Sequence, residues 1–126
     1  MPIKLEFFED GYEGGPLLLL WDGSASDVSR LVKVFESLAE RTGVRIALHE
    51  LPFIEPTPYV AVLAVSGNHS SGVVRKTPAL EWEQSLSGWD NAAGLLEPFA
   101  KSTAGGFQFL NRAGGAEVIY STHKSW

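Results

Sequence analysis

Four consecutive leucines and a tryptophan, "LLLLW" at Leu17–Trp21, set the tightest limit on how this chain folds. A run with no polar phase has no face to give to water, so it reads as a strand buried on both faces, central in its sheet. It is far too short to cross a bilayer, which takes about 20 apolar residues. The rest of the chain must therefore cover both of its faces.

Part of that cover is an amphipathic helix. Val28, Leu31, Val32, Phe35, Leu38 and Ala39 recur at spacings of three and four, while Arg30, Lys33, Glu36, Glu40 and Arg41 fill the remaining surface. Ser24 with Asp27 three residues on forms a capping-box start, and Gly43 stands where a left-handed residue would close the helix. A second helix is marked by Ser87 and Asp90, with Trp89, Ala92, Ala93, Leu96 and Ala100 on one face; Pro98 predicts that it is short or kinked.

Strands account for the rest. Ile3–Phe8 alternates, "VRIALHEL" puts Val44, Ile46 and Leu48 on one side and Arg45, Ala47 and His49 on the other, and "YVAVLAV" reads as buried. "VVRKTPALEWEQS" gives one strand, or two broken near Pro78, and "GFQFL" and "AEVIYST" form a closing hairpin. Pro52, Pro56 and Pro58 exclude residues 52–58 from a central ladder. The order β-β-α-β-β-β-α-β-β implies an α+β fold, with mixed α/β layering as the alternative. One domain over residues 1–126 would have a mixed sheet of six or seven strands carrying two helices. Trp21, Ser24, Asp27 and Gly43 recur as Trp82, Ser87, Asp90 and Gly105, which suggests a ββαβ duplication joined at 52–58. Shared start and stop signals explain the same recurrence without duplication.

Composition narrows the function. Fifteen acids against ten bases give a formal charge of −5 and a pI near 5.1. The bases are dispersed, with Arg75–Lys76 the only adjacent pair, so nucleic-acid binding is not expected. The absence of cysteine excludes thiol catalysis, disulfides and thiolate metal sites in this chain. The N-terminal sequence has no long apolar segment and carries acids, so the expectation is a soluble cytoplasmic protein without membrane contact.

Two stretches invite a catalytic reading. "SGNHSSG" at Ser66–Gly72 places His69 among serines, yet it lacks the leading glycine of a nucleophile elbow and the lysine and following helix of a phosphate loop. It reads as a turn between strands. If the strands ending at Trp21 and Leu51 were parallel neighbours, Asp22, His49 and Glu50 would meet at one sheet edge, with His69 above them. A histidine between carboxylates suits general acid–base work or a small ligand. The plainer alternative is a turn aspartate, a half-buried strand histidine and a solvated glutamate. No motif for a metal or cofactor accompanies them.

The aromatic residues favour a different function. Trp21, Trp82 and Trp89 fit a core, whereas Tyr59 follows a proline-rich segment and Trp126 is the last residue. Exposed Tyr and Trp beside acids are suited to binding a protein. The preferred expectation is a non-enzymatic domain that binds a protein partner, or itself, through Glu50, Glu55, Tyr59 and Trp126. Neutralisation of a basic toxin is one version, and pairing through the edge of the C-terminal hairpin is another.

Overall fold

The computed structural model describes residues 2–12, 15–76, 79–101, 106–112 and 115–123. In chain order the elements are β1 (Ile3–Tyr12), β2 (Gly15–Asp22), α1 (Ala25–Leu38), β3 (Arg45–Ala47), a 3-10 turn (Leu48–Glu50), β4 (Ile54–Pro56) and β5 (Val62–Ser66). There follow β6 (Gly72–Lys76), β7 (Ala79–Gln84), α2 (Leu86–Lys101), β8 (Phe107–Asn111) and β9 (Glu117–Ser121). The fold is α+β, but its strands form two mixed sheets rather than one. One runs β4-β1-β2-β9-β8 and the other β3-β5-β7-β6. An isolated bridge between Val73 and Ala116 joins them.

Nine strands among the described residues exceed the six or seven expected, for two reasons. Val73–Gln84 is an antiparallel pair, β6 with β7. The proline-rich segment also contributes β4, a three-residue edge strand parallel to β1. Prolines are tolerated there because an edge strand needs ladder bonds on one side only.

Leu17–Leu20 lies in the middle of the five-stranded sheet, antiparallel to β1 and parallel to β9, and all four leucines are fully buried. Leu18 and Leu20 join the main core with Ile3 and Leu5 under the two helices. Leu17 and Leu19 face the other way and pack with Ile119 beneath Phe8, Trp21 and Phe109. Removing each leucine side chain from water contributes about 1.5–3 kcal/mol, so this strand anchors both faces. Trp21 belongs to the outer layer and not to the main core, and its indole N–H donates to Glu6 Oε2 at 2.7 Å.

The helices pack on each other and share the main core with both sheets. Phe35 of α1, Trp82 of β7 and Trp89 of α2 form its aromatic centre, with ring centroids 4.7–5.5 Å apart. In α1 the Ser24 Oγ accepts from the Asp27 N–H at 3.1 Å and Asp27 Oδ2 accepts from the Ser24 N–H at 3.2 Å, a complete capping box. Ser24→Ala should therefore lower stability by about 1 kcal/mol, read as a few degrees in thermal denaturation. An unchanged midpoint would show the cap to be idle.

Three local expectations are corrected. α1 ends at Leu38, so Gly43, at φ +87°, is not its cap; it turns the chain into β3 and donates its N–H to Ser66 O at 2.7 Å. α2 starts one turn before Asp90: Ser85 Oγ accepts from Gly88 N–H at 3.2 Å, displacing Ser87 from the cap. Pro98 does not shorten α2, because so near the C-terminal end it removes only one intrahelical bond. Gly105 and Trp126 lie outside the described residues.

The two halves of the chain share a topology. β1-β2-α1-β3-β5 and β6-β7-α2-β8-β9 are each strand pair, helix, strand pair, and each sheet combines one half's first pair with the other half's second pair. The connecting interfaces, β2 with β9 and β5 with β7, are both parallel. Residues 52–58 fall inside the first half, between β3 and its partner β5, whereas the loop after Ser66 leads from one half to the other. The strands flanking α1 lie in different sheets, so the condition for a parallel pair across that helix is not met. No helix among the described residues is long and apolar enough to cross a membrane.

Candidate functional site

The segment that includes Glu50, Glu55 and Tyr59 runs along the β4 margin of the five-stranded sheet. Its last turn is built by Thr57-Pro58-Tyr59-Val60. Thr57 N–H donates to Leu5 O at 2.9 Å, and Val60 N–H donates back to Thr57 O at 3.1 Å. Pro58 occupies the second position and Tyr59 the third, with φ +70°. This is the type II pattern, which normally puts glycine or asparagine third because a side chain there is strained. Tyr59 accepts the left-handed backbone at a cost of about 1–2 kcal/mol. Its side chain gains no packing in return, since its relative exposure is 103%.

Behind the turn is a cavity of about 270 Å³ at the junction of the two sheets. Phe7, Val60, Ala61, Ala79 and Leu80 give it an apolar lining, with Glu9 and Arg75 at its edge. Arg75 is ion-paired with Glu9, and its guanidinium lies 5.3 Å from the Phe7 ring centroid. Nearby, Lys4 donates to Glu55 at 2.9 Å; that hydrogen bond holds the Lys4 ammonium above its ordinary pKa. Glu50 is exposed at 72% of its side chain.

Asp22, His49 and Glu50 do not form the expected sheet-edge cluster. Asp22 ends β2 in one sheet, and the neighbours of β2 are β1 and β9; His49 follows β3 of the other sheet. The strand expected over Val44–Leu51 stops at Ala47, and the 3-10 turn rolls His49 inward. There its Nδ1 accepts from the Val62 N–H at 3.0 Å, while Nε2 is 3.9 Å from Glu50 Oε2. His49 thus ties the 3-10 turn to the start of β5. Asp22 has φ +64° before Gly23, and its backbone oxygen accepts from the Tyr120 hydroxyl at 2.7 Å. Among the described residues no hydrogen bond or ion pair links Asp22 to His49 or Glu50, and no group of three His, Asp or Glu could hold a metal ion.

His69 also stands apart. The loop around it docks on the start of α2, where Ser70 Oγ lies 3.1 Å from Ser85 Oγ and accepts from the Ser85 N–H at 3.2 Å. Ser71 Oγ donates to Glu83 at 3.2 Å. His69 itself is exposed. Sequence reasoning missed Phe7, Glu9 and Arg75, which lie on strands far apart in the chain and meet only through the tertiary fold. Comparison with protein-family models, with curated proteins and with solved structures finds no match to this chain.

Proposed function

We propose that this domain binds a protein partner without catalysis, and that Tyr59 is its protruding contact. The observation that carries this reading is the Tyr59 backbone. A fully exposed aromatic residue occupies a left-handed turn position where glycine would be more stable, so its presence calls for a reason outside the folded chain. The adjoining cavity offers an apolar recess, while Glu50 and Glu55 add acidic groups along the same segment. With a formal charge of −5, the domain suits a basic partner, including a toxin held inactive, and electrostatic steering would speed the encounter. Catalysis by Asp22, His49 and Glu50 gains no support, since among the described residues no hydrogen bond or ion pair brings Asp22 to the other two.

Tyr59→Gly tests the reading by moving two quantities in opposite directions. Unfolding free energy should rise by about 1 kcal/mol as the strain is relieved. Partner captured from native lysate should fall at least about tenfold, the loss expected when an aromatic anchor is removed. A second copy of the chain as partner would show itself as a doubled mass in light scattering that Tyr59→Gly abolishes. Equal capture by both proteins, or a monomer that retains nothing, would reject the proposal.

A further inference from the structure

β4 and β8 are the two outer strands of the five-stranded sheet, and on the β8 side a cavity of about 460 Å³ opens between β8, α2 and the end of β7. The whole chain has five carboxamide side chains, and four of them line this one space: Gln84, Asn91, Gln108 and Asn111. Leu95 and Leu110 add apolar wall, and no carboxylate takes part in the lining although the chain has fifteen acids. The volume is that of a small-molecule site, for which about 300–1,000 Å³ is usual.

Gln84 is the buried member of the set. It ends β7, is only 5% exposed, and its Nε2 has no hydrogen-bond partner among the described residues. Gly88, in the first turn of α2, gives it room: a Cβ there would come within 2.8 Å of Gln84 Oε1. Gln84 therefore lies against the helix, and Asn91 follows one turn further along that helix. Buried polar groups are almost always paired, so a donor left over in a cavity wall indicates a missing acceptor. The last side-chain bond of glutamine turns readily, and since this Nε2 makes no bond, turning it toward an incoming oxygen breaks none.

The chemistry of the walls selects the ligand. Gln84 and Asn91 belong to the β7–α2 side and Gln108 to β8, so hydrogen-bonding groups line the space from two directions. Each carboxamide has two N–H donors and an oxygen that accepts. Gln108 commits one donor to the Phe109 backbone oxygen at 3.2 Å, which leaves its other N–H and its oxygen. Asn111 has partners of its own and is not needed as a donor. Arg112, the one charged residue of the lining, is ion-paired to Glu117 at 3.7 Å and lies 4.2 Å from the Phe109 ring centroid. A charged ligand would thus find no free counter-charge. What matches these walls is a neutral, compact molecule whose donor–acceptor groups radiate in several directions. A pyranose ring has that form: every hydroxyl both donates and accepts, while the C–H faces of the ring suit Leu95 and Leu110. We infer that the α2–β8 cleft binds a neutral saccharide unit, whose hydroxyls exchange hydrogen bonds with Gln84, Asn91 and Gln108.

This site is separate from the Tyr59 turn, and either can fail alone. Having only five carboxamides gives five pairs of side-chain NH2 signals in a nitrogen–proton correlation spectrum. Titration with methyl glucoside should shift the pairs of Gln84, Asn91 and Gln108, with half-saturation below about 10 mM. Asn91→Ala, at an exposed helix position, should weaken binding about fivefold, the loss of one hydrogen bond. Gln84→Leu should weaken it at least as much without lowering the urea midpoint, because the Nε2 it removes has no partner to lose. Tyr59→Gly should bind the glucoside within about twofold of the unaltered protein, since the proposed contacts do not include it. Signals that stay still at about 50 mM glucoside overturn the inference, as does unaltered binding by both carboxamide variants. Equal shifts from glycerol or acetamide at matched concentration overturn it too, because the cleft would then take any small polar solute. So does a larger shift from a blocked alanine peptide, which would make it a site for main chain and not for a sugar.

Discussion

Trp82→Ala should lower the free energy of unfolding by about 3–5 kcal/mol, the range for emptying a buried aromatic site. Trp82 is fully buried, and its ring lies 5.5 Å from that of Phe35 and 4.7 Å from that of Trp89. It therefore connects the four-stranded sheet to both helices, and the hole left behind is walled by rigid rings that collapse poorly. Against a total stability of about 5–15 kcal/mol, such a loss is a large fraction. A shift of the urea midpoint with little change in slope would register it, whereas a loss below about 1 kcal/mol would show that the site repacks. The two indoles also differ in a way that phenylalanine replacement exposes. Trp89 Nε1 donates to Val65 O at 2.9 Å, while Trp82 Nε1 is buried with no partner among the described residues. Trp89→Phe should accordingly be the more damaging by about 1 kcal/mol, because it alone forfeits a hydrogen bond.

Tyr120 should make the protein unusually sensitive to alkali. Burial, aided by the charges of Asp22 and Asp27, pushes its hydroxyl up to about 12. The unfolded chain has the ordinary tyrosine value of about 10. The folded state therefore keeps a proton that the unfolded state has lost between these limits. This stabilisation is complete below about pH 10 and disappears as the pH rises through about 12, falling by roughly 1.4 kcal/mol per unit and 2–3 kcal/mol in all. Tyr120→Phe should remove that part of the alkaline slope. At neutral pH it should cost only about 1 kcal/mol, for the bond to the Asp22 oxygen. Urea unfolding of both proteins at several alkaline pH values checks this, and parallel stability curves would refute it.

What the sequence discloses is what local pattern controls. The apolar phase of α1, its Ser24–Asp27 cap, the buried Leu17–Leu20 strand and the C-terminal hairpin each depend on residues within a few positions of one another. Pairing between distant strands has no such signal. β2 could not be matched to β9 from periodicity alone, and once that pairing is unknown, so is the distance between Asp22 and His49. A strand buried on both faces also leaves the direction of its tryptophan open, which is why Trp21 was expected in the main core. In the C-terminal hairpin, β9 turned out to be interior and β8 to be the edge. Of the candidate partner residues, Glu50, Glu55 and Tyr59 are exposed, whereas the buried strand expected from Tyr59 onward starts only at Val62, because the Thr57–Val60 turn takes up its first residues. The strain at Tyr59 and the convergence of four carboxamides exist only in three dimensions.

The exchange of strand pairs between halves makes the whole molecule a single knot of mutual dependence. The first 66 residues alone hold β1-β2 and β3-β5 as separate pairs, each lacking the parallel neighbour that buries its inner edge. That neighbour for Leu17 is Glu117, a hundred residues further along the chain. Hydrophobic strand edges, including the four-leucine run, must therefore wait for the second half of the fold before they are covered. For a chain of this design, the hazard is greatest during birth, when a nascent half can pair with the wrong copy before its own second half arrives.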